Sequence, residues 1–131
     1  MKKVVVDTTI YSHAMRGVTE AVRVLKKAEI LLISPIVIGE LLNGFKRGNR
    51  ENRNREQLQK FLCTERIVHL SITAETAEFY ASILTRLQEK GIPIPTNDIW
   101  IAASAMENGA ALATMDDHFS KVDGLLIMPL V

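Results

Sequence analysis

"VVVDTT", residues 4–9, is an apolar, β-branched run that stops on an aspartate, and "ALATMDD", residues 111–117, repeats that shape near the other end of the chain. Runs rich in Val, Ile, Leu or Ala without clean polar alternation fit strands covered on both faces of a parallel sheet. Three more such runs stand at 30–33, 67–70 and 125–128, and helical patterns separate all but the closely spaced last pair. Strands and helices alternate in this way in a single α/β domain, expected here over residues 1–131. Right-handed crossovers bring the ends of parallel strands to one edge, so Asp7 and Asp116, each just past a strand, share the edge where open α/β sheets bind ligands.

The helices follow from their punctuation. The first helical region is expected over about 10–28. Ser34 and Pro35 supply an N-cap and a first-turn proline for a second helix, in which Ile38, Leu41, Leu42 and Phe45 recur at i, i+3, i+4 and i+7. Gly48-Asn49 breaks that helix, and a polar, basic one runs to about Thr64. Another begins near Thr73, with Ala77, Tyr80, Ala81, Leu84 and Leu87 as its buried stripe and Gly91 as its stop. "IPIP" (92–95) reads as an extended connector, after which Thr96 caps "NDIWIAASAMEN" and Gly109 closes it.

Composition narrows the class. The 131 residues, 47% hydrophobic and 24% charged, suffice for one packed core. Aromatic residues make up only 5%, which argues against stacking platforms for single-stranded bases. The lone cysteine, Cys63, rules out an intramolecular disulfide and a multi-cysteine zinc site, and beside Phe61 and Leu62 it is expected to be buried. "MKKVVVD" has too few apolar residues before its aspartate for a signal peptide, and no run reaches membrane-spanning length, so a cytoplasmic location is expected. Net charge is +1, but six basic residues lie between Lys46 and Lys60 against two acidic ones. That stretch is either a solvated helical face or a strip that binds phosphates.

Two further carboxylates complete the pattern. Asp98 lies in the first turn of its helix, heading a face made by Ile101, Ala102 and Ala105. A charge–dipole contact explains an aspartate there without any further role. Glu40 points away from the Leu41, Leu42 and Phe45 stripe and, alone, reads as an exposed glutamate. Yet the helix after strand two and the helix before strand four can both approach the crevice beside strand one. Four carboxylates meeting there would repel unless a cation neutralised them. With no histidine or thiolate at metal spacing, oxygen ligands favour Mg²⁺ or Mn²⁺ over zinc. Such an ion acidifies a bound water and stabilises the charge that builds on a phosphodiester under attack.

The segments "VVVDTTI", "SPIVIGELLNGF", "GIPIPTNDIWIAASAMENGA" and "ALATMDDHFSKVDGLLI" resemble, in order and spacing, the PIN-domain ribonucleases, above all the VapC-type toxins of toxin–antitoxin pairs. The most specific parts are P-x-x-D-x-x-I-A-A around Asp98 and T-x-D-x-x-F around Asp116. The resemblance covers essentially the whole chain. It implies a three-layer α/β domain with a central parallel sheet of order 3-2-1-4-5 flanked by helices. It also implies a Mg²⁺-dependent endoribonuclease, with Mn²⁺ as an alternative ion, that forms a homodimer and meets a cognate antitoxin. Asp7, Glu40, Asp98 and Asp116 are the acids it implies. Many relatives carry Asn or Ser where this chain has Thr9, and Asp117 beside Asp116 competes for the fourth place.

Within that frame Asp7 and Asp98 are expected as principal metal ligands, Glu40 as the group that orients or deprotonates water, and Asp116 as a holder of a second ion or of the water shell. Thr9 and Thr114 either support these carboxylates or satisfy backbone at strand ends. His13, His69 and His118 are left outside the site, and Trp100 is assigned to packing or a dimer contact. Arg47 and Arg50, beside the Leu41, Leu42 and Phe45 stripe, are expected to touch substrate or antitoxin. A haloacid-dehalogenase-like phosphatase would need a second aspartate where Thr9 stands, and a receiver domain would need an aspartate after strand three, where "RIVHLS" (66–71) ends in serine. The remaining alternative is a catalytically weak PIN-like module that binds RNA or protein.

Overall fold

Val4, Val5 and Val6 are completely buried and occupy the central part of the sheet, as expected of a strand covered on both faces. The computed structural model describes residues 3–130. In chain order the elements are β1 (Lys3–Val6), α1 (Thr8–Met15), α2 (Thr19–Lys27), β2 (Ile30–Ile33), α3 (Pro35–Arg47), α4 (Glu51–Leu62), β3 (Ile67–His69), α5 (Ala74–Lys90), α6 (Thr96–Glu107) and β4 (Ala111–Ala113), then a 3₁₀ turn at Asp117–Lys121. All strand pairs are parallel, in the order β3-β2-β1-β4. Val4 stands opposite Leu31 on one side and Ala111 on the other.

The expected fifth strand is reduced to a single parallel bridge between Leu112 and Ile127. Leu112 donates to the Leu126 carbonyl and accepts from Met128, both at 2.8 Å. Pairing stops there because β4 itself ends at Ala113, where the chain is drawn aside: Met115 and Asp116 give their N–H groups to the hydroxyls of Thr9 and Thr114. The segment therefore keeps fifth position without becoming a full strand.

Four local expectations change. The first helical region divides at Gly17, whose φ of 81° suits a residue without Cβ. Val18 N–H reaches the His13 carbonyl and Gly17 N–H the Ala14 carbonyl, the paired bonds that close a helix in this way. Helix α6 starts one residue early, with Pro95 at the cap position and its carbonyl accepting from Ile99, so Thr96 is helical rather than capping. On α5 the buried residues are Thr76, Ile83 and Leu87, whereas Ala77 and Ala81 are exposed. The Thr76 hydroxyl donates to Glu107 on α6 at 2.7 Å, turning that side of the helix inward, and Tyr80 stacks on Trp100 at 4.1 Å. Cys63 is exposed because it ends α4, past the helix's packed face. No helix among the described residues is long and apolar enough to cross a membrane.

Glycine substitutions separate the two kinds of position. Gly17→Ala should destabilise by about 1 kcal/mol, since an L side chain is disfavoured at positive φ. Gly44→Ala, inside α3 with open space around the added methyl, should stabilise by ~0.5–1 kcal/mol. Denaturant titrations of both variants check this, and shifts of the same sign would contradict it.

Candidate active site

Asp7 follows β1 directly and caps α1: its Oδ1 accepts the Ile10 N–H at 2.9 Å. The Thr9 hydroxyl lies 2.8 and 2.9 Å from the two carboxylate oxygens, and the Thr114 hydroxyl donates to Oδ2. Each threonine also accepts a backbone N–H from the chain leaving β4, at 2.9 Å. Supporting a carboxylate and satisfying strand-end backbone, posed as alternatives by the sequence, are thus two halves of one arrangement. The side chain of Asp7 is almost fully enclosed, with 2% of the residue exposed.

Asp98 projects from the first turn of α6 and is buried, as are Ile101, Ala102 and Ala105 of the same helix. Asp116 caps the 3₁₀ turn, accepting the His118 N–H at 2.9 Å. The His118 ring then turns back, its Nδ1 lying 3.1 Å from Asp98 Oδ2 and 3.0 Å from Asp116 Oδ1. Glu40 is half-buried rather than exposed, because Thr8 and Asn97 hold it: the Thr8 hydroxyl donates to Oε1 at 2.6 Å and the Asn97 amide to Oε2 at 3.3 Å. Asp117 is exposed, and its carbonyl receives the Ser120 hydroxyl.

The electrostatics record the same convergence. Burial is the largest influence on Asp7 and raises its pKa; hydrogen bonds from Thr114, Ile10 and Thr9 oppose this, and the charge of Asp116 adds to it. Burial also raises Asp98, followed by the charge of Asp116; His118 pulls it down and Glu40 pushes it up. Asp116 thus acts on both buried aspartates, and Glu40 lies within the field of Asp98. The donor set suits a cation: one atom each from Asp98, Asp116 and His118 lies within 4.8 Å of the others.

Of the residues that meet here, Thr8 and Asn97 are not singled out by the sequence, and His118, set outside the site there, stands between two of its acids. Each of the three lies within two places of an acid that is singled out, and adjacency is their only signal. His13 bonds the Thr9 carbonyl at 2.7 Å, and His69 the Leu62 carbonyl at 3.2 Å. Arg47 and Arg50 are both exposed. Arg50 borders a cleft of ≈ 330 Å³ whose wall includes Tyr11, Met15, Arg16, Phe45 and Arg53, whereas Arg47 does not line it. Leu41 is buried, so the cleft forms between α1 and the α3–α4 hairpin and not along the whole expected stripe. Elsewhere in the basic run, Lys46 and Arg55 pair with Glu51 at 3.3 and 3.6 Å.

The PIN domain family matches residues 4–125. The chain belongs to the PIN-domain family. The chain is 29% identical to Ribonuclease VapC2 of Rickettsia felis over 126 residues, which is 92% of either protein. It is 35% identical to Ribonuclease VapC1 of the same organism over 98 residues, 73% of either. Among solved structures, a chain in the complex of VapBC2 from R. felis with a DNA fragment from its promoter superposes with a TM-score of 0.84 at 26% identity, covering 96% of this chain and 97% of that chain.

Asp98 gives a signed stability test. Its folded pKa lies above the ordinary 3.8, so the folded protein holds more protons between the two values and loses stability as pH rises through that interval. In chelator at pH 7, Asp98→Asn should therefore melt higher than wild type, by about 1 kcal/mol. The gap should close on acidification toward 3.8, and Mg²⁺ should stabilise wild type more than the variant. Asp7→Asn should shift in the same direction but less: the amide oxygen can still cap α1, but the amide NH2 cannot accept the hydroxyl hydrogen bonds that Thr9 and Thr114 give the carboxylate, which offsets part of the gain. A lower melting point for Asp98→Asn at pH 7, with or without Mg²⁺, would make Asp98 a helix-end charge and nothing more.

Proposed function

We propose that this chain is a divalent-metal-dependent endoribonuclease, the toxin of a toxin–antitoxin pair, acting as a single domain over residues 1–131, as a homodimer in the cytoplasm. The observation that carries the reading is the meeting of Asp7, Glu40, Asp98 and Asp116 at one edge of the sheet, two of them buried at an electrostatic cost. Relatives named ribonucleases supply the reaction class, and a structural neighbour that is a VapBC complex supplies the antitoxin.

Asp98 and Asp116 would hold the ion. Asp7, with most of its four lone-pair sites already taken by Ile10, Thr9 and Thr114, adds its charge and one remaining site, directly or through a water. When bound, Mg²⁺ or Mn²⁺ would acidify a water and offset the charge that develops on the attacked phosphate. Glu40 aims that water: Thr8 and Asn97 fix both of its oxygens and leave a lone pair on each for a water proton. Arg47 and Arg50 supply positive charge for RNA phosphates or for an acidic antitoxin segment, whose apolar side chains the Phe45 and Met15 walls of the cleft accommodate.

Cleavage of a mixed RNA pool should require Mg²⁺ or Mn²⁺ and stop in excess chelator. Asp98→Asn should lower its rate by about a hundredfold or more while remaining folded. Full cleavage in chelator would overturn the metal reading, and RNA binding without cleavage at any metal concentration would leave a binding module in place of an enzyme.

Antitoxin binding has its own readout. Charge reversal at Arg47 and Arg50 together should weaken binding of the cognate antitoxin at low salt, with the loss shrinking as salt screens it. Unchanged affinity at low salt would remove these arginines from the interface.

A further inference from the structure

We propose that His118 is itself a metal ligand, its Nδ1 joining one oxygen each of Asp98 and Asp116 in a mixed nitrogen–oxygen face that favours a transition ion such as Mn²⁺ over Mg²⁺. The inference rests on the metal-dependent reading above and adds a ligand and a metal preference to it.

Two distances carry it. Nδ1 stands 3.1 Å from Asp98 Oδ2 and 3.0 Å from Asp116 Oδ1, nearly equidistant from two carboxylates. A ring nitrogen has either one proton or one lone pair, so it can make one well-directed hydrogen bond but not two. Neighbouring donors around an octahedral ion at about 2.1 Å are separated by about 3.0 Å, so these spacings match two edges of one coordination face.

The surrounding chain holds the ring in place. Asp116 and His118 are tied by the backbone bond from His118 N–H to Asp116 Oδ1, and the Asp116 N–H is anchored on Thr114. Asp98 comes from the rigid first turn of α6. The His118 side chain is 45% exposed, so an ion and its waters can approach without opening the core. The other two histidines are directed to backbone carbonyls, His13 to Thr9 and His69 to Leu62. Imidazole binds Mg²⁺ poorly, because that small, hard ion prefers oxygen, whereas Mn²⁺ accepts mixed sets more readily and higher members of the series more readily still. The proposal adds a nitrogen donor, two residues after the fourth acid, to the oxygen ligands expected from the sequence.

Pulsed electron paramagnetic resonance of the intact chain loaded with Mn²⁺ tests this without reference to activity. Wild type should show electron spin-echo modulation from a coordinated ¹⁴N, replaced by the ¹⁵N pattern when the protein is grown on ¹⁵N-histidine. His118→Asn should lose the signal, and its Mn²⁺ dissociation constant should rise by about tenfold or more, with a smaller change for Mg²⁺. Bound Mn²⁺ without nitrogen modulation in wild type would overturn the role of His118 and leave the carboxylate site standing. Modulation that persists in a folded His118→Asn would equally overturn it. No binding of Mn²⁺ by wild type would overturn this inference together with the metal-dependent reading. The labelled wild-type spectrum decides the matter even if the variant does not fold.

Discussion

The carboxylate of Asp7 is the knot on which the site depends. It ends β1, caps α1 through Ile10, and receives the hydroxyls of Thr9 and Thr114, which in turn hold the backbone leaving β4. One buried side chain thus couples the central strand, the first helix and the loop that carries Asp116 and His118. Hydrogen bonds to a carboxylate are stronger than neutral ones, and in a buried position their loss leaves several donors without partners at once. This explains how an ionisable group is tolerated at 2% exposure in the centre of the molecule.

Tolerance has a limit, and the second layer of acids exceeds it. Among the described residues Asp98 has no ring of donors like that around Asp7; its relief comes from His118, while Asp116 and Glu40 repel it. Holding like charges beside one another costs the fold stability, an arrangement that would suit a bound cation. Glu40 shows the gentler version. At the half-buried flank of α3 it is steadied by the Thr8 hydroxyl and the Asn97 amide.

Much of this was readable beforehand, for identifiable reasons. Ser34-Pro35 announced α3 because a side-chain cap and a preset φ are local properties, and the Ser34 hydroxyl does accept the Val37 N–H. Asp7, Asp98 and Asp116 were legible because abrupt charges beside apolar runs are rare and expensive. The buried stripe of α5 was misplaced by about one residue because alanine and threonine differ little in periodic pattern, and it was Thr76 reaching Glu107 that chose the face. Cys63 was misread because helix ends expose residues that a continued helix would bury.

The sequence by itself determined the alternation of strands and helices, the parallel sheet and the three aspartates at its edge, since local propensity, turn chemistry and hydrophobic period act over a few residues. Only the tertiary structure decided that Glu40 belongs with Thr8 and Asn97, that His118 faces Asp98 and Asp116, and that the fifth strand shrinks to a bridge. The contacts of Glu40 with Thr8 and Asn97 and of His118 with Asp98 join residues 20 to 57 positions apart. A one-dimensional pattern records which side chains are present, but their meeting is set by how the sheet and helices pack, and that is where the donors and acceptors of this site find one another.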